Sequence, residues 1–299
     1  LMQMEFDTAE GLSKTTGEIT RQRETVLLEE DEFKAEILAE QMIEKEMEML
    51  DCSSPEIRNQ LLKMGFEVNQ IAKMPLAHQP GTRFSYGLST NVLGGLIELI
   101  TKQSLSKYLA DHIFKPLGME DTYFYLPTSK HTRLVEIYIK KDNRLIAADR
   151  SKMPVDYPLL NNSTYFSAIG GLVSTTKDYF LFLNHLLNPT MSKNTFRVLQ
   201  PATVEQLLTN QLGQKTFIFG GFPSLNQFGL GVGLTSFKGQ SINKASVGSY
   251  FWGGAFNTAY MVDPKRNLIT LFYFQRTPFV LPPLLSKLEK TAIEIIDQQ

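Results

Sequence analysis

The side chain with the clearest chemical promise is Tyr86, in the stretch Pro80 to Gly95, PGTRFSYGLSTNVLGG. A phenol is a proton-transfer group, and this one falls where the chain must turn. A Pro-Gly turn leads into the short extended run Arg83-Phe84-Ser85, and Gly87 follows the tyrosine. Ser89 or Thr90 is then placed to cap a helix whose apolar positions Val92, Leu93, Leu96, Ile97 and Ile100 recur at helical spacing. Loops fixed between ordered elements are where functional side chains tend to be presented. Local sequence equally allows a tyrosine that merely packs the turn.

Other reactive residue types form no constellation. The four histidines, His78, His112, His131 and His185, lie in separate segments without metal-ligand spacing, which reads as structural or exposed positions and no metal site. Cys52 is the single cysteine and sits in LDCSSP beside an acidic segment, a setting that works against a thiolate nucleophile and leaves no partner for a disulfide. Gly229, Gly231 and Gly233 approach a dinucleotide fingerprint, but they lie in an apolar run with no helix after them and fit close backbone packing. There is no GxSxG, Walker loop, HExxH or CxxC, and no cofactor is expected.

With 30 basic and 31 acidic residues the formal net charge is -1, which argues against nucleic acid as a partner. At 299 residues, 42% hydrophobic and 20% charged, the chain can build one large core or two intimate ones. No apolar run reaches the length of a membrane span. The first residue is Leu1, which points to a start further upstream.

Around Tyr86 the elements are legible from composition. Residues 1–20 read as polar loop, 21–50 as a charged helix with Phe33, Ile37, Met42, Ile43 and Met47 on an imperfect stripe, and 56–72 as one or two short helices. A second helix runs Leu105 to Phe114 and stops at Lys115-Pro116-Leu117-Gly118; Val135–Ile139 and Leu145–Ala148 read as a hairpin. Thr175 and Asp178 resemble a capping box for a helix to about Leu187, and another helix starts near Pro201. Phe228–Leu234, Ala245–Phe251, Ala255–Val262 and Leu268–Phe274 are strand-like, and Leu284–Ile296 is a terminal amphipathic helix. The expected fold is α/β (α+β) in two lobes, with residues 1–55 set apart, 56–225 mostly helical, and 226–299 an antiparallel sheet with its closing helix. A cleft between the lobes is the natural place for a site.

The order of five motifs resembles the serine β-lactamase-related superfamily, which includes class C β-lactamases, penicillin-binding peptidases and family VIII carboxylesterases. The motifs are PLA at 75–77 with PGTRFSY at 80–86, IFKPLGM at 113–119, GGLVST at 170–175, and Trp252-Gly253-Gly254. The resemblance covers about Ala72 to the C-terminus. It implies that Tyr86 is the tyrosine that shares proton transfer with the lysine of an S-x-x-K nucleophile motif. A nearby ammonium favours the phenolate, and serine is a weak nucleophile until a base removes its proton. Trp252-Gly253-Gly254 then matches the substrate-lining strand, and the backbone N–H of Ala255 supplies half of an oxyanion hole. The substrate would be a small-molecule ester or amide.

Two departures bear on substrate. Leu88 stands where an asparagine amide would meet a β-lactam side chain, and Trp252 replaces the lysine that would meet a lactam carboxylate, which tips the expectation toward ester hydrolysis. A third departure is larger, since no serine before Tyr86 has lysine three residues on. The three S-x-x-K strings, at Ser104, Ser174 and Ser241, all come later, on helix starts and a strand connection. The expectation is a domain without its N-terminal strands and nucleophile helix, marginal in isolation because apolar surface is left uncovered. The alternative is a non-catalytic member that binds ligand or partner through the same cleft.

Overall fold

The computed structural model describes residues 78, 81–142, 144–149, 157–159, 166–188, 198–219, 222–277 and 283–298. The expected charged helix over 21–50, the short helices over 56–72, Cys52, the boundary at 55 and the PLA string lie outside the described residues.

Helix α1, Ser89–Thr101, follows the Tyr86 loop. Its cap differs from the expectation: Leu88 is the N-cap residue, without a side-chain bond, and Ser89 already lies inside the helix. The helix backs onto its neighbours through a small side. A Cβ at Gly94 would come 2.9 Å from the Ala168 side chain and 3.1 Å from Leu105, so only glycine allows this approach. Helix α2, Leu105–Leu109, begins at Ser104, whose side chain accepts from Lys107 N. Residues Ala110–Phe114 then form a π turn, and α3, Lys115–Leu117, ends on left-handed Gly118. The expected single helix is thus three joined pieces, with Asp111 accepting from both Lys107 and Lys115 and held near 2 by them.

Strands β1, Tyr138–Lys141, and β2, Arg144–Ala147, form the expected antiparallel hairpin with shifted ends. Helix α4, Thr176–Leu187, starts as expected at Thr175, whose hydroxyl accepts from Asp178 N at 3.2 Å. The reciprocal half of the capping box is absent. The buried Asp178 carboxylate accepts instead from Asp121 N at 2.7 Å and Thr122 Oγ1 at 2.9 Å, tying the helix start to a segment 56–57 residues away. Helix α5 spans Pro201–Leu207, with proline in its first turn.

Short strands β3, Ile218–Phe219, and β4, Phe222–Pro223, pair with each other. The expected continuous strand over 228–234 is broken. β5, Gln227–Phe228, turns back through Gly229 to Gly231 onto β6, Gly233–Leu234, and Gly231 takes a φ of +87° that disfavours any side chain. The main sheet continues with β7, Tyr250–Gly254; β8, Thr258–Asp263; and β9, Leu268–Tyr273, antiparallel throughout in the order β5-β6-β7-β8-β9. Strand β7 begins five residues later than the expected start at Ala245, because a turn closed by Ser249 N donating to Ser246 O at 2.9 Å, with Gly248 at φ +90°, takes up the intervening residues; before it, Phe237–Asn243 forms a helix, α6, capped by Ser236. Strand β10, Arg276–Thr277, runs parallel to β1. Helix α7, Pro283–Asp297, closes the chain.

Alternation along the strands sends side chains to two helical layers. Tyr250, Tyr260 and Val262 face Leu183 and Leu186 of α4 and Val204 of α5, with Trp252 partly buried against the same cluster. Met261 and Phe251 face the other way, onto Ile293 of α7. That second layer is pinned by Arg266, whose guanidinium donates to Asp297 at 2.6 and 2.8 Å and to Asp263 at 2.8 Å. Burial pushes the Asp263 carboxyl up, but the Ser246 N–H and the Arg266 guanidinium outweigh it and hold the group below its ordinary value. The result is a mixed α/β architecture, with an antiparallel sheet between helical layers and further helices beside it.

Candidate active site

Two rings of the loop before α1 meet rings of the sheet. Phe84 packs edge-on against Phe217 at 5.3 Å between ring centroids and at a tilt against Phe228 at 4.9 Å. Tyr86, two residues on, packs against Trp252 at 5.6 Å. Phe228 also meets Trp252 at 5.3 Å in a T-shaped contact, so one aromatic wall joins the Tyr86 loop to β5 and β7. Each such ring pair contributes about 0.5–1.5 kcal/mol beyond area burial, enough in sum to fix where the loop sits. Between them, Ser85 Oγ lies 2.9 Å from His78 Nε2. Tyr86 remains 46% exposed, so its ring is anchored while much of it stays accessible.

From Trp252 the strand runs through Gly253 and Gly254 to a turn. Asn257, in the left-handed region at φ +60°, donates its N–H to Gly254 O at 3.0 Å and closes that turn. A Cβ at Gly254 would fall 2.4 Å from Thr258 Oγ1 on the facing strand, so a side chain here would displace that hydroxyl. Ala255 stands exposed on the turn, and its N–H has no acceptor among the described residues. A backbone donor left open at a strand end can stabilise a developing oxyanion, provided the reacting carbonyl reaches it.

The sequence-based site residues therefore divide. Tyr86 and Trp252 are in ring contact, and Gly253, Gly254 and Ala255 continue from Trp252 along the same strand end. Leu88 does not join them through any contact that the structure gives; what it supplies is a carbonyl that accepts from Asn91 N at 2.9 Å. One residue missed from sequence is Asn91, whose Oδ1 accepts from Ile169 N at 3.2 Å and ties the first turn of α1 to the Gly170-Gly171 loop. Its signal was a polar side chain one turn before Gly94, on the face of the helix that approaches a neighbour.

The three S-x-x-K serines are occupied locally. Ser104 caps α2, Ser174 Oγ lies 2.8 Å from Thr122 Oγ1, and Ser241 donates to Lys238 O at 2.7 Å. Ser241 lies on α6, not on a strand connection as expected. Lys107 and Lys244 pair with Asp111 and Glu294. Among the described residues no cluster of His, Cys, Asp and Glu could hold a metal ion, and no helix is long and apolar enough to cross a membrane.

The sequence model of the beta-lactamase family matches residues 60–285, three quarters of the chain, and the chain belongs to that family. Protein Rv1367c of Mycobacterium tuberculosis is 32% identical over 216 residues, 70% of this chain and 52% of that protein. Monacolin J acid methylbutanoyltransferase of Aspergillus terreus is 28% identical over 230 residues, 69% of this chain and 52% of the enzyme. Lovastatin esterase of Penicillium rubens is 25% identical over 252 residues, 75% of this chain and 58% of the enzyme. The chain thus spans about half the length of the curated relatives it matches. Among solved structures, EstCE1, a hydrolase with promiscuous acyltransferase activity, superposes with a TM-score of 0.63 at 19% identity, covering 76% of this chain and 61% of that one. The fold is that of the serine β-lactamases, penicillin-binding proteins and their esterase and acyltransferase relatives.

Proposed function

We propose that this chain carries the tyrosine and the oxyanion strand of a serine acyl-transfer site, and that the reaction is hydrolysis of small carboxylic esters. The observation that carries the reading is the contact between Tyr86 and Trp252, which brings a phenol beside the strand that ends in the open N–H of Ala255. The serine and lysine of S-x-x-K come from outside this chain in this reading. The serine oxygen attacks the ester carbonyl while the lysine–tyrosine pair takes its proton, and the oxygen that becomes negative is held by backbone N–H donors, Ala255 among them. The alcohol leaves with the proton that the pair returns, and water repeats the sequence on the acyl-enzyme.

Trp252, Gly253 and Gly254 line the acyl side in this scheme. An apolar indole in place of a lysine, and leucine in place of an amide, favour an ester over a lactam with its polar substituents. An alcohol can replace water as the second acceptor without moving any residue, and a relative named as a methylbutanoyltransferase supports that variant. The test is labelling with a fluorophosphonate probe read by intact mass. The full-length protein is expected to take up one probe at an S-x-x-K serine outside this chain, while a polypeptide of residues 1–299 takes up none. Labelling of Ser104, Ser174 or Ser241 contradicts the assignment, and a folded full-length protein with neither labelling nor turnover favours a non-catalytic binding role.

A further inference from the structure

Two kinds of contact hold the loop that carries Tyr86, and one of them is polar. Gly81 turns the chain in the left-handed region at φ +78°, and the residues on either side of it meet through one imidazole. His78 Nε2 lies 2.9 Å from Ser85 Oγ, and His78 Nδ1 lies 3.4 Å from Thr82 Oγ1. Both ring nitrogens are thus used, each on a hydroxyl that follows the turn. A hydroxyl can donate or accept, so either tautomer of the neutral ring satisfies both contacts, and the same hydroxyls can accept from an imidazolium.

The second kind of contact is aromatic, and Ser85 lies in the chain between its two members. Phe84 packs on Phe217 and Phe228, and Tyr86 packs on Trp252. The angle between ring planes runs from 89° for Phe84 with Phe217 to 40° for Tyr86 with Trp252. Ring pairs accept that range at little cost, so they hold the loop near the sheet without fixing where the phenol oxygen of Tyr86 stands. Proton transfer asks for more, since the oxygen must come within hydrogen-bond reach of its partner. The imidazole supplies a polar tie one residue before the phenol. Its bonds are exposed and compete with water, so they add little to stability. Their effect on rate can be larger, because a small misplacement of a reacting group costs far more in turnover than in folding.

We infer that His78 is a positioning residue for Tyr86: its imidazole clips Thr82 and Ser85 across the Gly81 turn and so sets the phenol of Tyr86 against the Trp252 ring. The inference rests on reading Tyr86 as the proton-transfer group of an acyl-transfer site. His78 passes no proton in this scheme. It acts through the chain between residues 78 and 86, and the clip closes on either charge state of the ring.

In the full-length protein, kcat for an activated butyrate ester is expected to fall about tenfold in His78→Ala with KM within about twofold of native. It should recover in part in His78→Gln, whose amide donates and accepts as the ring does, and the pH profile of that variant should keep the native shape. In the Tyr86→Phe background His78→Ala is expected to cost less than about twofold, because a residue that acts through Tyr86 then has nothing left to position. A kcat that His78→Ala leaves unchanged overturns the inference, and so does a loss that persists in full in the Tyr86→Phe protein. A limb missing from the His78→Gln profile would make His78 a proton carrier and overturn it too. A second measurement needs no catalysis. In protein labelled with 13C-tyrosine, the Tyr86 ring resonance, identified as the one lost in Tyr86→Phe, is expected to move in His78→Ala as the ring shifts on Trp252, and to return toward its native position in His78→Gln. A resonance that ignores His78→Ala overturns the clip even if esters are hydrolysed. A resonance that responds in a protein hydrolysing no ester keeps the clip and removes the acyl-transfer reading.

Discussion

Helices α1 and α4 are of nearly equal length, 13 and 12 residues, and both are amphipathic, yet their apolar stripes end in opposite surroundings. In α4, Leu183 and Leu186 are 0% and 3% exposed against the sheet, and Asp178 bonds the helix start to the 121–122 segment. In α1 the exposed residues include Leu93 at 58%, Leu96 at 45%, Leu99 at 64% and Ile100 at 70%. What holds α1 is its small and polar side, with Gly94 against Ala168, Asn91 on Ile169 N, and Glu98 Oε1 accepting from Leu105 N at 2.7 Å. Helical spacing announces that a face exists; what covers that face is decided elsewhere. The sheet with α4, α5 and α7 forms a filled core, whereas the helix that follows Tyr86 keeps its apolar side open among the described residues.

The comparison breaks most directly at paired leucines. Leu183→Ala removes a side chain from full burial and is expected to cost about 2–5 kcal/mol, whereas Leu99→Ala on the open face of α1 should stay within about 0.5 kcal/mol. Urea unfolding of both variants checks this. Equal losses would mean that α1 is covered in solution and that the contrast between the two helices is false.

A smaller effect sharpens the picture of the filled half. Burial raises the Glu289 carboxyl on α7 from 4.5 to about 7. A raised folded value means that its contribution to stability is fully present below 4.5 and is lost as the pH climbs through about 7, when an ionised carboxylate must stay in a poorly hydrated place. At 1.36 kcal/mol per pH unit the loss amounts to about 3 kcal/mol at most. The urea midpoint of the native protein is therefore expected to fall between about pH 5 and 8, and that of Glu289→Gln to stay level over the same range. A flat profile in the native protein would show that α7 leaves Glu289 hydrated.

Sequence carried the later part of the fold well wherever one residue type forces a conformation. Thr175 capped α4, Gly118 ended α3, and Asp263 to Asn267 turned β8 into β9 as their chemistry requires. It failed where neighbours decide. The Phe237–Asn243 helix contains a glycine and looks like a connection, but Ser236 caps it, and Gly239 leaves room for the Asn226 amide, which a Cβ would displace. The run from Phe228 to Leu234 alternates like one strand, yet Gly231 folds it back on itself. At the candidate site the tyrosine and the Trp-Gly-Gly string were legible as local motifs. The aromatic wall that joins them was not, because Phe84, Phe217 and Phe228 meet only after the chain between them has folded. Asp178 and Asn91 show the same limit, since each spends its side chain on a segment more than fifty residues away.

The central claim is that Tyr86 and the strand ending at Ala255 serve one acyl-transfer site. Its most direct test is turnover of an activated butyrate ester by full-length Tyr86→Phe, with circular dichroism confirming that the fold is intact. Loss of a positioned proton-transfer group predicts a fall in kcat of about 10²–10⁴-fold. Turnover within about threefold of the native protein would contradict the account, because a phenol that only packs against Trp252 loses almost nothing when it becomes phenylalanine.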